Sequence, residues 1–282
     1  MPQFQTPPPK TTRYALSFPS PGILLVTITR EKRMNSIDTQ GHWEGEALWS
    51  WFDDEPSMRV AVITGAGAKA FSAGADLLEQ HDRAQSADDD KEKVAKPVGM
   101  PPSGFAGISR RRGKKPIIAA VNGFALGGGF EICLNCDIIV ASPKASFALP
   151  EVERGLYAAA GGLARIVREV GMHVGSELAL TGRRLSAKEA LDLRLVNVIA
   201  QAPETLLEEA MKMARKIASL SPDAVIVTRD GLRETWESGS VEQASRLTDG
   251  RYLRALMQSE NLKIGLAAFA MKKEPKWVDS KL

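Results

Sequence analysis

Short strand-like runs and helical stripes follow one another along the chain. Tyr14–Phe18 and Ile23–Thr29 flank Pro19-Ser20-Pro21-Gly22, a turn-rich link, and predict a β-hairpin. Val60–Thr64 is the next strand, and Asp38 is placed to cap an intervening helix that runs through Phe52. Trp43, Ala47 and Trp51 lie at helical spacing on it and are expected to pack in the core. Ile117 to Val121 is a continuous apolar run, long enough for a buried strand and too short for a helix. Phe130–Asn135 reads as a helix, Asp137–Ala141 as another apolar strand, and Ser146–Leu149 as a β-like run stopping at Pro150-Glu151. Strands alternating with helices imply a largely parallel sheet with right-handed crossovers.

Beyond Gly162 the pattern turns helical. Leu163–Val170 and Gly175–Leu180 come first, then Ser186-Ala187-Lys188-Glu189, a capping box opening Ala187–Leu193. Val196–Ile199 is a closing strand. Leu206, Ala210, Met213 and Ile217 mark an amphipathic helix from Pro203 to about Leu220. Pro222–Trp236, Val241–Met257 and Leu262–Lys272 complete the helical part.

Two stretches carry no clear period. Residues 1–12, with Pro7-Pro8-Pro9, read as an extended, solvated tail. Residues 79–114 combine Asp88-Asp89-Asp90, several prolines and the basic run Arg110-Arg111-Arg112-Gly113-Lys114-Lys115, the signature of a mobile loop around a short helix.

Composition narrows the field. The 282 residues carry a formal net charge of +3, too weak a surplus to point to nucleic acid. No apolar run is long enough to span a membrane, and the first residues lack the charged-then-apolar order of a secretory signal. Cys133 and Cys136 cannot make a disulfide framework and are expected as buried, reduced thiols. Neither a P-loop nor a dinucleotide fingerprint follows a strand. There is no G-x-S-x-G for a serine hydrolase. No H-E-x-x-H marks a metal site, and none is expected.

The chemistry concentrates between Lys115 and Gly162. Gly127, Gly128 and Gly129 lead into a helix carrying Glu131, and Glu151 follows the next strand pair. Glycines at a helix start let a ligand approach the backbone closely. They also leave unpaired N–H groups where the helix dipole favours negative charge. Such donors can hold an oxyanion, next to an acid/base pair made by two carboxylates in apolar surroundings.

Phe71-Ser72-Ala73-Gly74-Ala75-Asp76 together with Lys115–Gly162 resembles the enoyl-CoA hydratase/isomerase (crotonase) superfamily. Ile28–Ser36 and Gly265–Trp277 resemble that family's two ends, so the likeness runs through almost the whole chain. It implies an α/β fold: a crotonase-like ββα spiral core over 13–200 with the CoA and acyl site, and a C-terminal helical trimerisation region over 201–282. It makes the N–H groups of Ala75 and Gly128 an oxyanion hole and Glu131 and Glu151 the acid/base pair. Lys32, Arg33 and Lys272 correspond to CoA-binding positions, and Ala73, Asp76, Leu77 and Tyr157 to substrate-binding ones. The implied activity is reversible addition of water to a 2-enoyl-CoA thioester, with no cofactor beyond the CoA of the substrate. The implied assembly is a homotrimer or a dimer of trimers.

Alternatives stay open. Isomerase or acyl-CoA hydrolase chemistry on the same fold is one, and a non-catalytic acyl-CoA or RNA binder ranks below it. Ala158 stands where many hydratases have proline, and Tyr157 beside it is placed to reach the acyl pocket. That departure puts a simple straight-chain acyl group in doubt and leaves a branched or hydroxylated one, as in carnitinyl-CoA-like or siderophore-precursor dehydratases, as an alternative. Ser280-Lys281-Leu282 matches a peroxisomal address read by an import receptor.

Overall fold

The computed structural model describes residues 4–87 and 99–282. β1 (Tyr14–Ser20) and β2 (Ile23–Ile28) form the expected antiparallel hairpin, turning through Gly22 at φ +74°. α1 (Thr39–Asp54) follows, its first turn capped by the Asp38 carboxylate, which accepts from Gly41 N at 2.9 Å. The chain then repeats one pattern: two strands and a helix. β3 (Val60–Gly65) and β4 (Ala70–Ser72) lead to α2 (Leu77–Ala87). β5 (Ile117–Val121) and β6 (Phe124–Leu126) lead to α3 (Gly128–Asn135). β7 (Ile138–Ala141) and β8 (Ser146–Ala148) lead to α4 (Gly162–Val170) and α5 (Met172–Thr181). β9 (Leu185–Ser186), α6 (Ala187–Asp192), β10 (Val198–Ile199) and α7 (Leu206–Ala218) close the core. α8 (Pro222–Glu237), α9 (Val241–Gln258) and α10 (Glu260–Ala270) form the helical end.

Each repeat gives one strand to each of two sheets, which makes the core a ββα spiral. The larger sheet has the order β1-β2-β3-β5-β7-β10 and is parallel apart from the hairpin; the smaller runs β4-β6-β8-β9. The middle strands read as unbroken apolar runs because both faces of the larger sheet are covered. Val60, Val62, Ile118, Ala120 and Val140 meet Leu206, Ala210, Met211 and Ala214 of α7. Their neighbours Ala61, Ile63, Ile117, Ala119, Val121, Ile139 and Ala141 face the main core with Trp49, Phe52, Phe71, Phe130 and Phe147. Ser186 and Glu189 make the capping box as read from the sequence. Among the described residues, no helix is long and apolar enough to cross a membrane.

Three expectations need correction. The Trp43–Ala47–Trp51 stripe is not the buried face of α1: Trp43 and Ala47 are exposed, and only Trp51 is buried. The buried face carries Leu48, Trp49 and Phe52, with His42 and Gly45 lying under the turn Phe105–Gly107. Gly45 is needed there, since a Cβ would stand 2.1 Å from the Ala106 carbonyl oxygen. Next, residues 4–12 are extended but tied down. Phe4 packs on Phe18 and Trp51, Trp51 Nε1 donates to Thr6 O at 2.8 Å, and Glu55 accepts from Gln5 N at 2.9 Å.

The third concerns residues 79–114, of which 88–98, with the acidic run, lie outside the described residues. The part from 101 to 111 is packed, not mobile: Phe105, Ala106, Ile108 and Ser109 are buried. The basic run has structural work. Arg111 forms a two-bond ion pair with Asp53, and Arg112 pairs with Glu234. Lys115 is buried, its ammonium donating to Phe52 O at 2.9 Å and to Glu55 O; burial lowers it to about 8, against the pull of Asp53 and Glu55.

Candidate active site

The two sheets meet two glycine turns. Gly74, at φ +87°, precedes Ala75, and Gly127, at φ +54°, precedes Gly128 at the start of α3. Ile37 N donates to Gly74 O at 2.8 Å and Asp76 N to Ile37 O at 3.0 Å. This parallel bridge takes the groups on either side of Ala75, so the Ala75 N–H faces away from Ile37. The Gly128 N–H, at the first position of α3, has no intrahelical carbonyl to reach. The turns nearly touch: a Cβ on Gly74 would meet Leu126 O at 2.8 Å and Gly128 N at 3.3 Å. Glycine is needed at Gly127 for its positive φ, and neighbours crowd all three glycines of this run. A Cβ would stand 3.0 Å from Glu151 Oε1 at Gly127, 2.5 Å from the Phe105 ring at Gly128, and 2.3 Å from Ser72 O at Gly129.

Glu131 sits on the first turn of α3 and is buried. Gly162 N donates to its Oε1 at 2.8 Å. Burial pushes the carboxyl up to about 7, with the Glu151 charge adding to the rise; the Gly162 and Ala160 N–H groups and Arg165 pull the other way. Glu151 lies on a short 3-10 helix, Pro150–Arg154, and burial raises its carboxyl as well. Its Oε2 is buried and, among the described residues, accepts no hydrogen bond.

One cleft of about 480 Å³ joins these parts, and it is lined by Ala73, Ala75, Asp76, Leu77, Gly128, Glu131, Glu151 and Tyr157. Those are eight of the eleven positions singled out from the sequence. Tyr157 is 67% exposed and stands at the rim, while Ala158 behind it is buried. Asp76 is paired with Arg30 at 2.7 Å; burial pushes its carboxyl up, but the Arg30 guanidinium and the Glu79 N–H outweigh this and hold it low. Lys32, Arg33 and Lys272 do not line the cleft. Arg33 borders a smaller depression of about 370 Å³ that shares Asp76 and Glu79 with it. Lys32 is exposed on the turn Glu31–Arg33, and Lys272 is exposed just past α10.

Several lining residues escaped the sequence reading. Thr39 and His42 reach the cleft from α1, Gln80 from α2, and Met100 and Phe105 from the loop before β5. None carries a local motif, because their convergence depends on contacts between distant segments. Cys133 is buried and Cys136 half-buried, and burial pushes both thiols up. Among the described residues, no group of three or more His, Cys, Asp or Glu side chains is placed to hold a metal ion.

The same architecture and sequence recur in known proteins. The enoyl-CoA hydratase/isomerase family model matches residues 19–280. A mevalonyl-coenzyme A hydratase of Beauveria bassiana is 44% identical over 279 residues, covering 99% of this chain and 99% of its own. A carnitinyl-CoA dehydratase of Salmonella arizonae is 39% identical over 260 residues, 90% of this chain and 94% of its own. The crystal structure of an enoyl-CoA hydratase from Bacillus anthracis superposes with a TM-score of 0.83 at 31% identity, covering 94% of this chain and 99% of that one.

Proposed function

The chain belongs to the enoyl-CoA hydratase/isomerase family, and we propose that it works there as a hydro-lyase on a 3-methyl-branched, hydroxylated acyl-CoA of the mevalonyl type. Acyl-CoA hydratase or dehydratase activity rests on the relatives of that kind over nearly the full chain. The finer reading draws on their printed substrates, on Ala158, and on a cleft whose wall mixes Thr39, His42 and Gln80 with apolar side chains. A mevalonyl group is by its chemistry a 3-hydroxy-3-methyl acyl chain with a second hydroxyl at its far end.

The observation that carries the proposed mechanism is that the buried Glu131 carboxyl and the half-buried Glu151 carboxyl share one cleft with the backbone N–H groups of two glycine turns. In the hydration direction Glu131, as carboxylate, takes a proton from water, and the water oxygen forms its bond to C3. The C2–C3 π electrons move onto the thioester oxygen, where the Ala75 and Gly128 N–H groups hold the enolate. Glu151, as carboxylic acid, gives its proton to C2, and the carbonyl re-forms. Dehydration reverses each step. Neighbouring like charges disfavour joint ionisation, which suits one acid beside one base. Glu131, raised to about 7, is available as a base near neutral pH. No cofactor enters this scheme; coenzyme A arrives with the substrate.

Lys32, Arg33 and Lys272 are proposed to meet CoA phosphates, with Lys272 acting across a subunit boundary. A trimer or dimer of trimers fits the exposed Leu232 and Phe269 on the C-terminal helices, and light scattering reports it. Peroxisomal delivery through Ser280-Lys281-Leu282 is proposed too; localisation of a tagged chain with and without Leu282 tests it.

Enone absorbance with straight, 3-methyl-branched and hydroxylated 2-enoyl-CoA thioesters tests the activity. The branched, hydroxylated thioester should lose its enone signal fastest, and Glu151→Gln should abolish the loss. Preference for an unbranched chain would overturn the substrate assignment.

A further inference from the structure

We infer that Arg165 is a positioning residue for the Glu131 base, holding the backbone that aims its carboxylate. The role rests on the hydro-lyase reading above and deepens it. Gly162 N donates to Glu131 Oε1 at 2.8 Å, and the carbonyl oxygen of Gly161 accepts from Arg165 Nη1 at 3.2 Å. That N–H and that carbonyl are opposite ends of one planar, trans peptide unit. Arg165 therefore grips the far end of the peptide whose near end holds Glu131. The helix's own bond to the same carbonyl, from Arg165 N, is longer at 3.4 Å and so the weaker hold.

The guanidinium is itself anchored. Its Nε donates to Asn135 Oδ1 at 3.0 Å. Asn135 is buried, and its amide nitrogen donates to Ile108 O at 2.6 Å and to Arg111 O at 2.9 Å, which fixes the side chain. Glu131 and Asn135 stand one turn apart on α3. A ring is thus closed from α3 through Glu131, the Gly161–Gly162 peptide, Arg165 and Asn135 back to α3. Both glycines fit it closely. A Cβ on Gly161, at φ +101°, would stand 2.3 Å from Arg165 Nη1, and one on Gly162 would stand 2.8 Å from Glu131 Cγ. Bridging two fixed acceptors suits the rigid fork of arginine and not the single ammonium of lysine.

A base must keep its oxygen within hydrogen-bond reach of the proton it takes, so a small rotation of this peptide costs rate. Arg165 does not line the catalytic cleft; it borders a separate groove with Glu169 and Arg233. Its loss should therefore act on turnover more than on substrate binding. Charge works in the same direction as geometry. Burial, and after it the Glu151 charge, disfavour the ionised Glu131, and the Arg165 cation favours it. Arg165 in turn faces Arg233 and Arg110, which oppose its charge, and Glu237, which supports it.

Steady-state hydration of a 2-enoyl-CoA thioester across pH, with Arg165→Met and Arg165→Lys, tests this. In Arg165→Met kcat should fall about 10- to 100-fold while KM changes less than about threefold. The acid limb of kcat/KM should also move to higher pH, because the base ionises less readily without the cation. Arg165→Lys keeps the charge and one donor and should recover part of both. NMR titration of the protein carrying ¹³C-carboxyl glutamate reads the Glu131 midpoint directly, the signal being the one lost in Glu131→Gln. That midpoint should rise in Arg165→Met. Arg165→Gln, a milder neutral variant, should show the same rise and serves if the methionine variant does not fold. An unmoved midpoint in a folded neutral variant overturns the inference, and so does a kcat that falls only in step with a rising KM. The NMR titration needs no turnover. Should the unaltered protein hydrate none of these thioesters, the hydro-lyase reading fails, and the midpoint still decides whether Arg165 governs Glu131.

Discussion

Replacing Glu131 by glutamine should cost the activity and yet stabilise the fold, and only at higher pH. The carboxyl is buried and raised from an ordinary 4.5 to about 7. A shift of that size separates the ionised and protonated forms by about 3 kcal/mol. The sign follows from linkage. A carboxyl with a raised folded-state pKa costs nothing while both states are protonated. It begins to oppose folding as the unfolded chain ionises above 4.5, and the full cost is present above about 7. Glutamine mimics the protonated form and keeps an oxygen for the Gly162 N–H. Glu131→Gln should therefore gain up to about 3 kcal/mol at pH 8.5 and little at pH 4.5, on the order of 5 °C in melting temperature for a chain of this size. Thermal unfolding of both proteins across that range measures it. A glutamine variant that loses the same stability at both ends of the range would refute the reasoning, because the Gly162 and Ala160 donors would then be supporting the ionised carboxylate.

Two further substitutions probe the frame and the site. Trp49→Ala, in the core, should cost about 3–5 kcal/mol in urea unfolding, whereas Trp43→Ala, on the exposed side of the same helix, should cost less than about 1 kcal/mol. Gly128→Ala would place a methyl group 2.5 Å from the Phe105 ring and force the α3 donor to shift. Its kcat/KM should drop by about two to three orders of magnitude, the scale of a lost oxyanion donor, while unfolding stays cooperative.

Much of the fold was legible because its strands are buried on both faces. Continuous apolar runs such as Ile117–Val121 then mark strands without ambiguity, and Asp38 and Ser186 announce helix starts by local capping chemistry. The site was legible for a related reason. Ala75, Gly128, Glu131 and Glu151 sit on short segments marked by glycines, and at Gly74 and Gly129 the demand comes from backbone carbonyls of Leu126 and Ser72. What failed was whatever depended on distant partners. Trp43 and Trp49 lie on one helix, and its packing against the turn at Phe105–Gly107, far along the chain, helps decide which face is inside. The proline-rich start looked solvated because neither Glu55 nor Trp51 reveals in sequence that it binds residues 4–6. The arginine run looked like a charged loop because Asp53 and Glu234, its partners, are distant in sequence. His42 was passed over for the same reason, its contacts being with Ala106 and Phe105.

The central claim is that water is added across the double bond and that both glutamates take part. Incubating 5-hydroxy-3-methyl-2-pentenoyl-CoA with the protein in H₂¹⁸O, followed by mass spectrometry of the intact and hydrolysed thioester, tests it most directly. The label should appear in the C3 hydroxyl of an intact CoA thioester, and in neither Glu131→Gln nor Glu151→Gln. Label in the carboxylate of a released acid would instead identify a thioester hydrolase. A shifted double bond without label would identify an isomerase, and either result would contradict the two-glutamate hydration proposed for this cleft.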